Sequence, residues 1–275
     1  MNGLVARDAR APVDAGDHVM LTGHSSPAHQ AGRVPFPASL RLIHEDEDLL
    51  VIDKPPGLLT VATDRERERT AYRFIWDYLA SRRPPGRPFI VHRLDRDTSG
   101  LVAFAKSPAA KRQLQAQFEA RTAEREYVAV VEGRVQAEAG TLESRLVEDR
   151  ALRVRAAPSG KAAITHYQVL ERRRDTTVLA LTLGTGRRHQ IRVQLADLGH
   201  PIAGDREHGS RHNPFGRLAL HACRLGLVHP ATGQRVSFES APPTAGYNRR
   251  GSPTTTRKES PCPHRPFRSR TRSPS

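Results

Sequence analysis

Nowhere in the 275-residue chain do eighteen apolar residues run together. That excludes a membrane-spanning helix, which needs about 20. Cysteine is scarce. Cys223 and Cys262 lie far apart, which argues against a disulfide scaffold and fits a reducing cytoplasm. The first fifteen residues lack a basic segment followed by an apolar stretch and a small-residue cleavage site, so no secretory signal is expected. Neither His-Glu-x-x-His nor Cys-x-x-Cys occurs, so local spacing points to no metal site. No internal repeat is visible.

What the chain does have is positive charge. Its 37% hydrophobic content suits one medium-sized domain with a core. The net charge is +15. Beyond Ala241, eight cationic residues stand against Glu259 alone, a net of +7 that leaves +8 for residues 1–240. A basic body suggests a polyanionic partner, nucleic acid first among them, although a solvated surface tuned for solubility gives the same balance.

Residues 1–24 contain short apolar steps and a turn feeding a strand, and 25–40 read as a Ser/Pro/Gly/His-rich linker. Strands are predicted at 42–44 and 49–53 around an acidic turn, with a loop over Lys54-Pro55-Pro56-Gly57. A helix is predicted over 70–82, where Ala71, Phe74, Ile75, Tyr78 and Leu79 share one face. Ser107-Pro108 opens another, with Leu114 and Phe118 on its buried side. Further strands are read at 127–131, 165–170, 177–183, 218–227 and 236–238, and a short helix at 191–198. Strands outnumber helices and come in adjacent groups, which indicates an α+β fold. The segment 244–275 is too poor in large apolar residues to offset its ordering entropy and reads as a disordered basic tail.

The most informative stretch is His92-Arg93-Leu94-Asp95-Arg96-Asp97-Thr98-Ser99-Gly100-Leu101, a carboxylate between arginines before a tight turn into a strand. Nearby cations favour an ionised carboxylate, which can serve as nucleophile or base. Taken alone it reads first as a surface ion-pair cluster. Asp95 and Asp97, sharing a strand face, also allow a glycosidase pair. Three other segments carry distinctive patterns: 48–58 with Lys54-Pro55-Pro56-Gly57, 125–133 with Tyr127, and 186–205 with Gly186-Arg187-Arg188-His189-Gln190-Ile191-Arg192 and Gly204-Asp205.

The first stretch resembles the signature of the RluA-type pseudouridine synthases, His-Arg-Leu-Asp-x-x-Thr-Ser-Gly-Leu, at every fixed position. The other three resemble that family's remaining motifs, in order, and the resemblance covers 41–243 as one catalytic domain. It implies a mixed, largely antiparallel β-sheet flanked by helices, an RNA cleft across it, and isomerisation of RNA uridine. It makes Asp95 the catalytic aspartate, which either attacks C1′ or takes a proton from C2′. It makes Tyr127 the ring that stacks on the base and helps remove the C5 proton, and Arg192 the partner that orients Asp95. It also implies that no cofactor or metal is needed, that Arg93 fills the gap left by a flipped base, and that Arg187, Arg188 and Lys54 meet phosphates.

The resemblance is incomplete in places. His208 stands where the family has an aromatic packing residue, and Arg188 where Thr or Ser is usual. The segment before residue 24 resembles the second half of an S4 RNA-binding domain, either truncated upstream or decayed, with an ordinary polar strand as the plain alternative. The expected partner is ribosomal or transfer RNA, the expected compartment the cytoplasm and the expected state a monomer. The competing readings are an RNA-binding protein on this fold without catalysis, and the Asp95/Asp97 glycosidase.

Overall fold

The computed structural model describes residues 34–149 and 153–243. The S4-like segment, most of the linker and the basic tail lie outside them.

The first strands explain the fold. β1 (Arg41–Glu45) and β2 (Leu49–Lys54) form an antiparallel hairpin, and β2 pairs antiparallel with β4 (Ser99–Ala105). β2 and β4 read as unbroken apolar runs because both their faces are covered. Alternate side chains on a strand point to opposite faces. Leu50, Ile52, Val102 and Phe104 therefore join Ala71, Ile75, Tyr78 and Leu79 of helix α1 (Ala71–Ala80) in one core. Leu49, Val51, Leu101, Ala103 and Ala105 join Ala110 and Leu114 of α2 (Pro108–Glu119) in the other. Each such large apolar side chain contributes about 1.5–3 kcal/mol on burial.

Both helices begin where the sequence indicates. The Thr70 hydroxyl accepts from the Arg73 N–H at 3.0 Å, and the Ser107 hydroxyl from the Ala110 N–H at 3.1 Å, with Pro108 in the first turn.

The remaining strands extend one sheet. Between α1 and β4 lies the short β3 (Phe89–Ile90), paired with β4. Then follow β5 (Glu124–Glu132), β6 (Ala139–Glu148), β7 (Val154–Ala156), β8 (Lys161–Arg172) and β9 (Thr176–Leu183). Helix α3 (Gln190–Asp197) precedes β10 (Leu220–Val228) and β11 (Arg235–Glu239). The order is β1-β2-β4-β10-β5-β9-β8-β6-β7, with β11 also on β10. Among the described strands every pairing is antiparallel except β4 with β10. This is the mixed, largely antiparallel sheet expected. No described helix is long and apolar enough to cross a membrane.

The parallel step positions the site. Ala222 of β10 is the partner of Gly100 on one side and of Tyr127 on the other. The turn before β4 and the middle of β5 are thus held two strand spacings apart, roughly 10 Å. Gly100 makes this possible. Its φ is +114°, and a Cβ there would lie 2.2 Å from the Ala222 carbonyl oxygen.

Candidate active site

Asp95 sits in the loop between β3 and β4, held by its neighbours rather than by its own side chain. The buried Thr60 hydroxyl donates to the Leu94 carbonyl at 2.8 Å and accepts from the Leu94 N–H at 3.1 Å. On the other side, Lys54 Nζ donates to the Arg96 carbonyl at 3.0 Å and to those of Pro55 and Leu58 at 2.9 and 2.8 Å. Leu94 packs into the α1 core and Val91 into the α2 core. Among the described residues no hydrogen bond or ion pair engages the half-buried Asp95 carboxylate, which lines a cavity of about 500 Å3. That size suits a small-molecule or single-nucleotide pocket.

Lys54 was expected at a phosphate. It is instead 0% exposed, with its ammonium spent on three backbone carbonyls. Burial lowers its pKa, and the charges of Asp97, Asp95 and Asp53 only partly restore it, leaving a value of about 7. It pins the Asp95 loop and cannot reach RNA.

Tyr127 reaches the cavity wall from β5 and is 7% exposed. Burial raises its pKa to about 12, Asp95 adding to the rise and Arg125 opposing it. Its hydroxyl is therefore neutral at physiological pH. A phenolate base is not available there, whereas a ring face and a neutral O–H are.

Arg192 lines the same cavity from the first turn of α3, 5% exposed. Its direct partners are not Asp95. Nε and Nη2 donate to the two Asp205 oxygens, both at 2.7 Å, and Nη2 also donates to Glu207 at 2.8 Å. Burial opposes its charge, but the Asp205 hydrogen bonds and the charges of Asp205, Asp95 and Glu207 outweigh it and hold the pKa above the ordinary arginine value. Asp95 thus acts on Arg192 through space.

The α3 helix is fixed by polar side chains turned inward. Gln190 accepts from the Thr185 hydroxyl and the Arg187 N–H, and donates to the Ile164 carbonyl and the Thr165 hydroxyl. Gln194 donates to the Leu142 and Ala163 carbonyls. Every one of these groups would cost roughly 1–3 kcal/mol if buried unpaired.

The other cations divide. Arg93 and Arg187 are exposed and line the cavity, and among the described residues no ion pair engages either. Arg93 therefore does not pair with Asp97, the alternative role that its position allows. Arg188 leaves the cavity wall and pairs with Glu148 on β6. Arg125, unremarked as a site residue in the sequence, lines the cavity with its Nε buried and without a partner. Its guanidinium sits 5.8 Å from the Phe118 ring. His92 is neutral: its Nε2 accepts from the Ala103 N–H at 2.9 Å, and burial lowers its pKa to about 3 with help from Arg125. The cavity wall thus carries five arginines against two carboxylates, Asp95 and Glu119.

The site brings Asp95, Tyr127, Arg192, Arg93 and Arg187 to one cavity and sends Lys54 and Arg188 elsewhere. Thr60 carried no recognisable signal. The signal for Arg125 was its place two residues before Tyr127, one side of β5 with it.

Residues 48–197 match the RNA pseudouridylate synthase family. An uncharacterized RNA pseudouridine synthase of Bacillus subtilis, YlyB, is 36% identical over 249 residues, spanning 88% of this chain and 81% of its own. The ribosomal large subunit pseudouridine synthase D of Haemophilus ducreyi is 32% identical over 259 residues, 88% of this chain and 79% of that one. In fold, the solved human RNA pseudouridylate synthase domain containing 4 superposes with a TM-score of 0.63 at 23% identity, over 74% of this chain and 89% of that one. On the extent of these matches, the chain belongs to the RNA pseudouridylate synthase family.

Proposed function

We propose that the chain isomerises specific uridines of structured RNA to pseudouridine, with Asp95 as the catalytic group. The observation that carries this is the Asp95 carboxylate, anchored on both sides through Thr60 and Lys54 yet itself open to the cavity. A group that must form a bond to substrate or take its proton has to be fixed in place and left unpaired.

In this reading a uridine leaves its stack and enters the cavity, at the cost of unstacking. Asp95 then attacks C1′ or removes the C2′ proton. The N1–C1′ bond breaks and the base turns; as C5 joins C1′ the Asp95–C1′ ester bond breaks, or in the other route Asp95 returns the proton to C2′, and the freed Asp95 carboxylate then takes the C5 proton while N1 gains one. Tyr127 offers its ring to the base and its neutral hydroxyl as a donor. Arg192, locked by Asp205 and Glu207, supplies fixed positive charge beside Asp95. Arg93, Arg125 and Arg187 meet the flanking phosphates. Asp97 is exposed and absent from the cavity wall, which disfavours the Asp95/Asp97 glycosidase pair.

The favoured substrate is large-subunit ribosomal RNA, as named for the Haemophilus ducreyi relative. In this reading the protein acts as a monomer in the cytoplasm.

The test is carbodiimide treatment and primer extension on total RNA from cells with the gene, without it, and with Asp95→Asn. One or a few sites, in ribosomal RNA, should lose pseudouridine without the gene and stay unmodified with Asp95→Asn. Purified Asp95→Asn should still bind that RNA. Turnover by Asp95→Asn would overturn the role of Asp95, and loss confined to transfer RNA would overturn the substrate.

A further inference from the structure

Beside the Arg192 pair lies a group of side chains from which the isomerisation draws only on Glu207, as a brace for Arg192. His189, Glu207 and His208 each place one ligand atom within 4.8 Å of the other two. The imidazole rings of His189 and His208 stand edge to face, 5.3 Å between centroids. His189 Nδ1 is 3.7 Å from Glu207 Oε1. His189 is 8% exposed, its Nδ1 is buried without a hydrogen-bond partner, and it makes no cap to the helix it precedes. A buried polar atom left unpaired calls for an occupant.

We propose that His189, Glu207 and His208 form a binding site for a divalent transition-metal ion of the zinc class. Two imidazoles and one carboxylate are a common three-ligand set for zinc, with water as the fourth ligand. Imidazole selects zinc, copper and nickel over magnesium and calcium. The surroundings suit a ligand histidine as well. His208 Nδ1 lies 3.1 Å from Asp205 Oδ1, and a carboxylate on one ring nitrogen leaves the other free to bind metal. Charge fits too. The Arg192 guanidinium is shared between the carboxylates of Asp205 and Glu207, a net −1 beside the two imidazoles that favours a cation.

Sequence spacing did not reveal the site because His189 and the other two ligands come from separate segments, one preceding α3 and two following it. An ion here shares Glu207 with Arg192, and so touches the positioning of the catalytic cavity without taking part in bond making.

The test is a zinc titration of the metal-stripped full chain against a chromogenic indicator, repeated with cobalt to read the visible spectrum of the bound ion. The chain also contains Cys262 and His264, so the decisive quantity is the difference between proteins. His208→Phe should lose one equivalent of zinc, and Glu207→Gln should weaken the same equivalent at least tenfold. Metal-free melting temperatures of both variants establish that they fold. A wild-type chain that binds no zinc at micromolar concentration would overturn the proposal, as would folded variants that bind as the wild type does.

Discussion

Arg192 and Asp205 are joined side-on, through two hydrogen bonds of 2.7 Å between almost fully buried groups. Arg192 lines the cavity with Asp95 while held from behind by this pair. Removing one partner of a buried ion pair strands the other's charge, at about 3–5 kcal/mol. Asp205→Asn should therefore lower the unfolding free energy by that order and reduce turnover, both read on one preparation by urea denaturation and single-turnover assay. The acid limb supplies the sign. Burial alone would raise the Asp205 pKa, but hydrogen bonds from Arg192 and His208 bring it below its ordinary 3.8. Its stabilisation is complete above that value and is lost as pH falls below it. The wild type should lose its margin over Asp205→Asn in that range. Equal stability of the two proteins at pH 7 would show that the pair contributes nothing net.

Lys54 makes the opposite kind of test, since its expected role and its observed one predict different defects. Lys54→Met keeps the length of the side chain and leaves the Pro55, Leu58 and Arg96 carbonyls without their donor. Turnover should fall at least tenfold as the Asp95 loop loosens, while RNA affinity stays within about twofold. A phosphate contact would give the reverse, weaker binding with turnover intact. The folded pKa of about 7 lies below the ordinary 10.5, so between these values the unfolded chain binds more protons. Wild-type stability should thus rise with pH across that window relative to Lys54→Met, by at most about 1.4 kcal/mol per unit.

These two residues also show what a sequence can and cannot disclose. The helices at α1 and α2 were readable because their apolar positions recur with helical period and their caps are Thr70 and Ser107. The strand β6, Ala139–Glu148, which lies between β8 and β7, escaped notice: half of it is exposed and it is built from Gly, Glu, Ser and Arg among its leucines, so its apolar signal is weak. Asp95, Tyr127 and Arg192 were found through motifs, and the cavity brings them together. Motif matching says which cation is present but not where its charge ends up. Lys54 is swallowed by carbonyls, Arg188 is taken by Glu148, and Arg192 is held by Asp205, because those partners are set by tertiary contacts that local sequence does not contain.

Tyr127 separates stacking from proton transfer. With its pKa pushed up to about 12, its hydroxyl stays protonated across the working range. If Tyr127 stacks on the base as proposed, Tyr127→Phe should retain more turnover than Tyr127→Leu, because it keeps the ring on the cavity wall. The wild-type pH–rate profile should show no inflection from this group below about pH 11. Single-turnover rates from pH 6 to 10 provide the check. A phenylalanine variant as dead as the leucine one would give the hydroxyl the essential role.

Arg125 is a cavity cation whose Nε has no acceptor among the described residues. Its Nε is buried and unpaired, Phe118 lies to one side, and its charge is felt by both His92 and Tyr127. A buried guanidinium donor without an acceptor is costly unless the bound state supplies one, and a phosphate beside a flipped nucleotide has the right charge and geometry. Arg125→Met keeps the aliphatic stem against Phe118 and removes only the charge. It should weaken RNA binding about tenfold at low salt and reduce the slope of log affinity against log salt by about 0.7–0.9, the contribution of one neutralised phosphate. Filter-binding isotherms at four or five salt concentrations measure both. Weaker binding with an unchanged slope would assign Arg125 to stacking or packing instead, because only a lost phosphate contact changes the number of counterions released.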